Sequence, residues 1–156
     1  FTSIFLNCWY EMMFKKLGII NPTKDDRVLV DSLLKLMEKY KADYTNTFAA
    51  LTLNSESDDK LFSIMAFKEW RNSWLNRIKN SNESRESFRL MQKENPLFIP
   101  RNHLVERALD NFINGDLYEY DRLFDLLSRP YNYIPNSKFQ TVPIGFDDSY
   151  KTFCGT

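Results

Sequence analysis

Residues 104–127, LVERALDNFINGDLYEYDRLFDLL, decide the fold class of this chain. Apolar side chains recur every three to four residues on both sides of Gly115, a spacing that predicts two amphipathic helices separated by a tight turn. Asp116 and Glu119 have the spacing of a capping box, so we expect them to open the second helix. The inner face predicted for that helix consists of Tyr120, Leu123, Phe124 and Leu127. The stretch therefore predicts two successive helices.

The same periodicity recurs towards the N-terminus and predicts an all-α fold. Only four glycines occur in 156 residues, and Gly18 and Gly115 stand where helices are expected to end, which argues against a hairpin-rich sheet. Helix starts are indicated by Asn21 with Pro22 or by Thr23 with Asp26 for the second helix, and by Asp43 and Ser57 for the next two. These signals predict a bundle of about six to seven helices over residues 1–128.

Beyond Arg129 the helical periodicity is lost. Three prolines, Pro130, Pro135 and Pro143, interrupt a segment whose aromatic side chains are spread singly. Leaving so many rings in water is unfavourable. We therefore expect residues 129–156 to form an extended C-terminal tail that its aromatic rings pin along the helical body.

The composition is that of a globular domain without excess charge. Hydrophobic residues make up 43% of the chain, enough for one sizeable core. Twenty-one basic residues balance 21 acidic ones, so we expect no nucleic-acid partner. The apolar segment 1–18 contains Asn7 and Glu11 and is too short to span a bilayer, so we expect no membrane partner either. Because Phe1 already lies in a helical pattern, we expect the gene product to begin upstream of it.

The sequence does not indicate a self-contained active site. It has no glycine-rich phosphate loop and no Gly-x-Ser-x-Gly turn, and its single histidine, His103, has no cysteine or second histidine nearby. Pairs of adjacent aspartates are better explained as helix caps and solvated charge than as cation ligands, and we expect no metal site. These pairs are Asp25 with Asp26, Asp58 with Asp59, and Asp147 with Asp148.

Two segments have a functional interpretation beside a structural one. Arg101, Asn102 and His103 lie at a helix start, where they either satisfy backbone donors or contact an anion or another domain. The segment KEWRNSWLNRIKN, residues 68–80, mixes basic side chains with two tryptophans. It suggests base stacking on single-stranded nucleic acid or, as we favour, an amphipathic helix with a solvated basic face.

The two cysteines lie near opposite ends of the chain, which fits a reducing compartment. Cys8 falls on an apolar helix face, where we expect an inert packing residue. Cys154 is third from the C-terminus, in a segment flexible enough to bring a thiol to a partner. Both a packing role and a redox role are open for it.

The most distinctive block of the sequence is NPLFIPRNH, residues 95–103. Other blocks are Lys16-Leu17-Gly18, DYTNTF at residues 43–48, Val105-Glu106, Ala108-Leu109, Gly115-Asp116, Pro130-Tyr131 and YKTFCGT at residues 150–156. In content and in order these blocks resemble the C-terminal part of the selenoprotein O (SelO) family of protein adenylyltransferases. The likeness runs from Lys16 to the last residue.

The resemblance implies that the chain is the C-terminal helical region of a longer, bacterial cytoplasmic enzyme. Members of the family look like protein kinases, bind ATP in a reversed orientation and transfer AMP to hydroxyl side chains of proteins. The implied partners are an upstream kinase-like domain of the same chain and protein substrates. ATP and Mg or Mn are implied for the full-length parent, and no cofactor for this region. Cys154 matches the position of the selenocysteine of eukaryotic members, which implies a redox-regulatory role.

The expected function is thus to support the kinase-like domain of a protein adenylyltransferase, without catalysis by this region on its own. The alternative is a non-enzymatic helical module that binds another protein. If the chain once faced a further domain, one contiguous side of the helical body should be more apolar than a monomer normally shows.

Overall fold

The computed structural model of the protein describes residues 2–79, 84–134 and 137–141, and every regular element within these ranges is helical, as predicted. Seven helices of ten residues or more correspond to the predicted ones, one helix of four residues is split off from a predicted helix, and a second helix of four residues is additional. In chain order they are α1 (Thr2–Lys16), α2 (Asp26–Tyr40), α3 (Tyr44–Leu53), α4 (Lys60–Ser63), α5 (Met65–Lys79), α6 (Ser84–Glu94), α7 (Asn102–Ile113), α8 (Tyr118–Ser128) and α9 (Ser137–Gln140).

The larger hydrophobic core lies among α1 to α6. Trp74 on α5 is its largest fully buried side chain, and its ring stacks on that of Trp70 with the centroids 5.8 Å apart. Both indole N–H groups donate to backbone oxygens, Trp74 to Leu17 at 2.8 Å and Trp70 to Leu29 at 2.9 Å. The tryptophans of residues 68–80 are therefore core residues of an amphipathic helix, as we favoured. Other buried members of this core are Met13, Phe14, Val30, Leu33, Met37, Phe48, Leu51, Leu61, Phe67, Ile78 and Met91.

A second, smaller core joins the hairpin of α7 and α8 to the rest of the molecule. Its members come from α3, from the connection between α6 and α7, from the hairpin and from α9. The backbone N–H of Leu97 in that connection donates to the carbonyl of Pro130 at 2.7 Å, which closes the base of the hairpin. The buried members are Ala49, Leu97, Phe98, Leu104, Ala108, Leu123 and Phe139.

Cap geometry confirms several predicted helix boundaries. The carboxylate of Asp43 accepts a hydrogen bond from a backbone N–H in the first turn of α3 at 2.7 Å. Gly18 and Gly115 follow α1 and α7 with φ of +65° and +87°, a left-handed conformation that costs glycine little. After α1, the N–H of Ile19 donates to the carbonyl of Phe14, five residues earlier in the chain, at 2.8 Å. This is the six-to-one hydrogen bond of a Schellman motif.

The helix predicted to start at Ser57 differs from the prediction in its cap and in its length. Asp59, not Ser57, caps the helix that follows it, because its carboxylate accepts from the N–H of Leu61 at 2.8 Å. That helix ends after one turn, since the backbone is extended at Ile64, with φ −75° and ψ 130°. The single long helix expected in this region is therefore divided into α4 and α5.

The hairpin also departs from the prediction on its second helix. Asp116 accepts from the N–H of Tyr118 at 2.9 Å, but Glu119 does not close a capping box, because its carboxylate binds basic side chains instead. The predicted inner face is wrong for Tyr120 and Phe124, which are 38% and 65% exposed. The inward side of α8 is formed by Leu123, which is buried, with Leu127 partly buried beside the second core.

Two further side chains lie in environments other than those predicted. Asp26 is buried rather than solvated, because it pairs with Arg77 on α5. Cys8 is exposed rather than packed, because only the C-terminal half of α1 reaches the larger core. Both differences arise from contacts between helices that are distant in sequence.

The structure describes residues 129–134 and 137–141 of the predicted tail. Residues 137–140 form the helical turn α9, so this part is not extended. Two rings are held against the helical body: Phe139 is buried in the second core, and the hydroxyl of Tyr133 donates to the carbonyl of Asn95 at 2.5 Å. The rest of the predicted tail, including Cys154, lies outside the described residues.

Gly18 is a position where alanine is expected to cost about 2–3 kcal/mol of unfolding free energy. A Cβ there would lie 2.8 Å from the carbonyl oxygen of Ser87 and 3.0 Å from the side chain of Met91, in addition to the left-handed strain. Gly115→Ala is the matched control, because its Cβ would meet nothing within 4 Å and only the strain of about 1 kcal/mol remains. Urea unfolding measures the stability of both variants. Equal losses of unfolding free energy would show that contact of the added Cβ with Ser87 and Met91 contributes nothing.

Candidate functional site

Arg101, at the start of α7, ties this helix to the start of α3. Its guanidinium donates to both oxygens of Asp43, from Nη1 to Oδ2 at 2.7 Å and from Nη2 to Oδ1 at 3.0 Å. Nη2 also reaches Oδ1 of Asn46 at 3.3 Å. The Arg101 side chain is only 10% exposed, so little water competes for this two-pronged pair. Asn102 is exposed beside it and His103 is half-buried.

This geometry gives Arg101 an internal partner. An external anion would have to displace Asp43, the same carboxylate that caps α3. Arg101 stands at the N-cap of α7 but makes no capping hydrogen bond with its side chain. A contact of Arg101, Asn102 and His103 with an anion or another domain therefore stays a prediction.

Asn95, the first residue of the block at 95–103, is fully buried and connects three helices. Its amide nitrogen donates to the carbonyl of Lys16 at 2.8 Å and to the hydroxyl of Thr52 at 2.9 Å. Its amide oxygen accepts from the ammonium of Lys16 at 3.3 Å, and its own carbonyl accepts from Tyr133. The side chain thus joins the ends of α1 and α6 to α3.

Burial changes the acid–base properties of the groups around Asn95. It lowers the pKa of the Lys16 ammonium, which lies 5.6 Å from the ring centre of Tyr44 and 5.4 Å from that of Phe48. Burial likewise raises the pKa of the Tyr44 and Tyr133 hydroxyls, so both are expected to stay protonated and able to donate. The cluster is a structural junction, since each of its polar groups is held by another part of the fold.

Glu119 connects the hairpin to α9. Its carboxylate accepts from Lys138 and from Arg107, each at 2.6 Å, and from the amide of Asn111 at 3.3 Å. The hydrogen bond from Lys138, joined by that from Arg107, lowers the pKa of this carboxyl. This role could not be predicted from the sequence, because Glu119 also has the spacing of a capping residue.

The first half of α1 presents apolar side chains to solvent. Ile4 and Phe5 are 69% and 61% exposed, and the large apolar residues Leu6 and Met12 are also exposed. Positions 4, 5 and 6 point in different directions around a helix, so this half is apolar on more than one side. The run of consecutive apolar residues is the signal that could have identified this surface, which the prediction of one amphipathic helix overlooked.

The described ranges contain no cluster of three or more histidine, cysteine, aspartate or glutamate side chains that could hold a metal ion. None of the described helices is both long enough and apolar enough to cross a membrane.

Removing the Asn95 side chain is expected to lower the unfolding free energy by about 2–3 kcal/mol. Asn95→Ala leaves the buried Lys16 carbonyl and Thr52 hydroxyl without this donor and opens a cavity between helices. Asn102→Ala is the matched control, because Asn102 is exposed, and it should change stability by less than about 0.5 kcal/mol. Urea unfolding at neutral pH compares the two variants. If Asn95→Ala loses no more unfolding free energy than Asn102→Ala, the hydrogen bonds of Asn95 do not stabilise the fold.

Comparison with known proteins identifies what the chain resembles. The family model described as protein adenylyltransferase SelO matches residues 1–128. A protein nucleotidyltransferase YdiU of Clostridium perfringens is 44% identical over 158 residues, covering all of this chain and 32% of the relative. The Bacillus cereus protein of the same name is 42% identical over 159 residues, covering 33% of that relative, and one from Bacillus anthracis is 44% identical over 151 residues.

The chain spans about a third of the length of the curated relatives it matches. Its match to the family model includes all of α1 to α8, and with them Asp43, Asn95 and Glu119, whereas Tyr133 and Lys138, which contact the last two, lie beyond the matched residues. The resemblance seen in the sequence blocks is therefore confirmed. This chain belongs to the protein adenylyltransferase SelO family.

Proposed function

We propose that this chain is the helical region of a longer protein adenylyltransferase and supports the kinase-like part that transfers AMP from ATP to Ser, Thr or Tyr hydroxyls of proteins. The region is not catalytic on its own. The observation that carries the proposal is the exposed apolar half of α1, together with membership of a family whose relatives are three times as long. The kinase-like part would cover this surface.

The first half of α1 has apolar side chains that no other described helix buries. A helix that is apolar on several sides is normally buried on several sides, yet Ile4, Phe5 and Leu6 contribute nothing to either core. The second half of the same helix is anchored firmly, with Met13 and Phe14 buried in the larger core. The helix is thus fixed at one end and presents its other end for docking.

ATP and Mg or Mn are proposed to bind the kinase-like part, as the resemblance to the family implies. The chemistry supplied by the bound nucleotide is the transfer of its AMP group. Residues of this chain would contribute by holding the kinase-like part in place.

Cys154 is proposed to act as a regulatory thiol in the full-length protein, and a cytoplasmic location is proposed for that protein. The support is the resemblance of the block at 150–156 to the family. Adenylylation by the full-length protein is expected to rise with reductant, and Cys154→Ser should lose that response. An equal response in the Cys154→Ser variant would contradict the role.

The experiment for the main proposal measures label transfer from ATP to protein with Mg or Mn present. The full-length gene product, its Phe5→Asp/Leu6→Asp variant and this chain alone are compared. We expect activity in the full-length protein, a loss of about tenfold in the variant, and none in the chain alone. Val28→Asp is the matched control, because Val28 is 68% exposed on α2 and should change activity by less than about twofold.

Each other outcome has a definite meaning. Transfer by this chain alone would place the active site within it and overturn the proposal. Transfer by neither protein would favour the non-enzymatic interaction module, for which the exposed apolar face of the α7–α8 hairpin is the specific support. Equal activity in the α1 variant and Val28→Asp would show that α1 is not the docking surface.

A further inference from the structure

The outward side of the α7–α8 hairpin carries a row of exposed apolar side chains. The ring centres of Phe112 on α7 and Tyr120 on α8 are 5.4 Å apart, and those of Tyr120 and Phe124 are 6.4 Å apart with nearly parallel planes. Leu109 lies one helical turn before Phe112 on the same side of α7. We call these residues, with the 81% exposed Ile113, the hairpin face; its members are Leu109, Phe112, Ile113, Tyr120 and Phe124.

The fold does not use this face within the described residues. The hairpin packs on the rest of the molecule through Leu104, Ala108 and Leu123, which are all buried. Arg107 and Glu119 bind each other at 2.6 Å across the two helices, so the hairpin is held in one arrangement. The hairpin face is therefore presented on a fixed support, as a binding surface requires.

The hairpin is also acidic, although the whole chain is neutral. Residues 102–128 contain six acidic side chains and two arginines. Asp110 lies next to Leu109, and Asp121 lies one turn before Phe124; both are exposed, and neither takes part in an ion pair within the described ranges. An apolar row bordered by uncompensated carboxylates favours a ligand with both apolar and basic groups.

We propose that the hairpin face binds a Lys- or Arg-rich amphipathic helix of a separate protein. The apolar side of that helix would cover the aromatic row, and its basic side chains would meet Asp110 and Asp121. A second copy of this chain is disfavoured as the occupant, because it would bring the same negative hairpin against its own kind. The inference goes beyond nucleotidyl transfer and does not depend on it.

The test uses this chain and a fluorescent helical peptide of about 18 residues, which is long enough for five turns. Its leucines lie on one side of the helix and its lysines on the other. A matched peptide carries glutamate in place of every lysine. Fluorescence anisotropy at two salt concentrations should show binding of the lysine peptide that weakens with salt, and at least about tenfold weaker binding of the glutamate peptide.

Variants locate the binding surface. Phe112→Ser/Phe124→Ser should lower the affinity for the lysine peptide about tenfold. Asp110→Asn/Asp121→Asn should lower this affinity about threefold and make it depend less on salt. Val28→Ser is the control, because Val28 is 68% exposed on α2, outside the hairpin face, and it should change affinity by less than about twofold. Circular dichroism confirms that each variant keeps its helices.

Three results would overturn the proposal. The first is equal binding of the two peptides, which would indicate apolar adhesion alone. The second is a dimer in analytical ultracentrifugation that is lost in Phe112→Ser/Phe124→Ser, which would make a second copy the occupant. The third is binding by this chain but not by the full-length gene product, which would show that the protein covers this face itself.

Discussion

Trp74→Ala is expected to lower the free energy of unfolding by about 3–5 kcal/mol, a large part of the stability of a domain of this size. The indole is fully buried, stacks on Trp70, and meets the ring of Phe88 edge-on with the centroids 6.3 Å apart. Its removal opens a cavity in the larger core between α5 and α6, beside the end of α1. It also leaves the Leu17 carbonyl, which the indole N–H reaches at 2.8 Å, without that donor.

Two variants separate the contributions to this loss. Trp74→Phe keeps an aromatic ring but removes the donor, so it should lose about 1–2 kcal/mol less than Trp74→Ala. Met65→Ala is the control on the same helix, because Met65 is 68% exposed, and it should stay within about 0.5 kcal/mol of the parent. Urea unfolding followed by circular dichroism measures all three, and a small loss in Trp74→Ala would mean that α5 is not central to the core.

The helical content of this fold could be predicted from the sequence because its signals are local. The three-to-four periodicity, the left-handed conformations of Gly18 and Gly115 and the cap at Asp43 each depend on residues within one or two turns. The burial of Trp74 followed from the same periodicity. These features agree with the structure because no distant contact overrides them.

The assignment of faces could not be predicted in the same way. The helices α1 and α8 carry apolar residues on more than one side, and periodicity does not say which side finds a partner. Leu123 turned out to be buried, whereas Tyr120 and Phe124 on the same helix are exposed. The exposed rows only become visible when the packing of the other helices is known.

The polar junctions of the candidate site were also beyond local reasoning. Asn95 has the sequence context of a helix end before a proline, and nothing nearby shows that it bonds to α1 and α3. Arg101 and Asp43 are 58 residues apart, and each has a plausible local role as a helix-start residue. Tertiary pairing decides the roles of both.

Arg77→Ala is expected to cost about 3–5 kcal/mol at neutral pH, because it leaves a buried carboxylate without its cation. Asp26 has a side chain only 4% exposed and accepts from Arg77 Nε at 2.7 Å and Nη2 at 3.0 Å. Arg129→Ala is the control, because Arg129 pairs with Asp125 at an exposed site and should lose less than about 0.5 kcal/mol. Urea unfolding at pH 7 measures both.

The pH dependence of this loss has a definite sign. Burial alone would raise the pKa of Asp26, but hydrogen bonds from Arg77 and Thr23 outweigh it and lower the pKa below the ordinary 3.8. A carboxyl with a lowered pKa in the folded state stabilises the fold above its unfolded pKa, and this contribution is lost as the pH falls through the folded value. Without Arg77 the pKa of Asp26 rises, so the gap between the parent and Arg77→Ala should narrow as the pH falls from 7 towards 4.

A double variant tests whether the uncompensated charge causes the loss. In Asp26→Asn/Arg77→Ala the buried group is neutral, and its amide oxygen can still accept from Thr23, whose N–H reaches the carboxylate at 2.7 Å. We therefore expect the double variant to be more stable than Arg77→Ala at pH 7 by about 1–2 kcal/mol, with a flatter dependence on pH. A double variant that is less stable than Arg77→Ala would show that the loss comes from the packing of the arginine side chain, because a buried charge cannot explain damage that grows when the charge is removed.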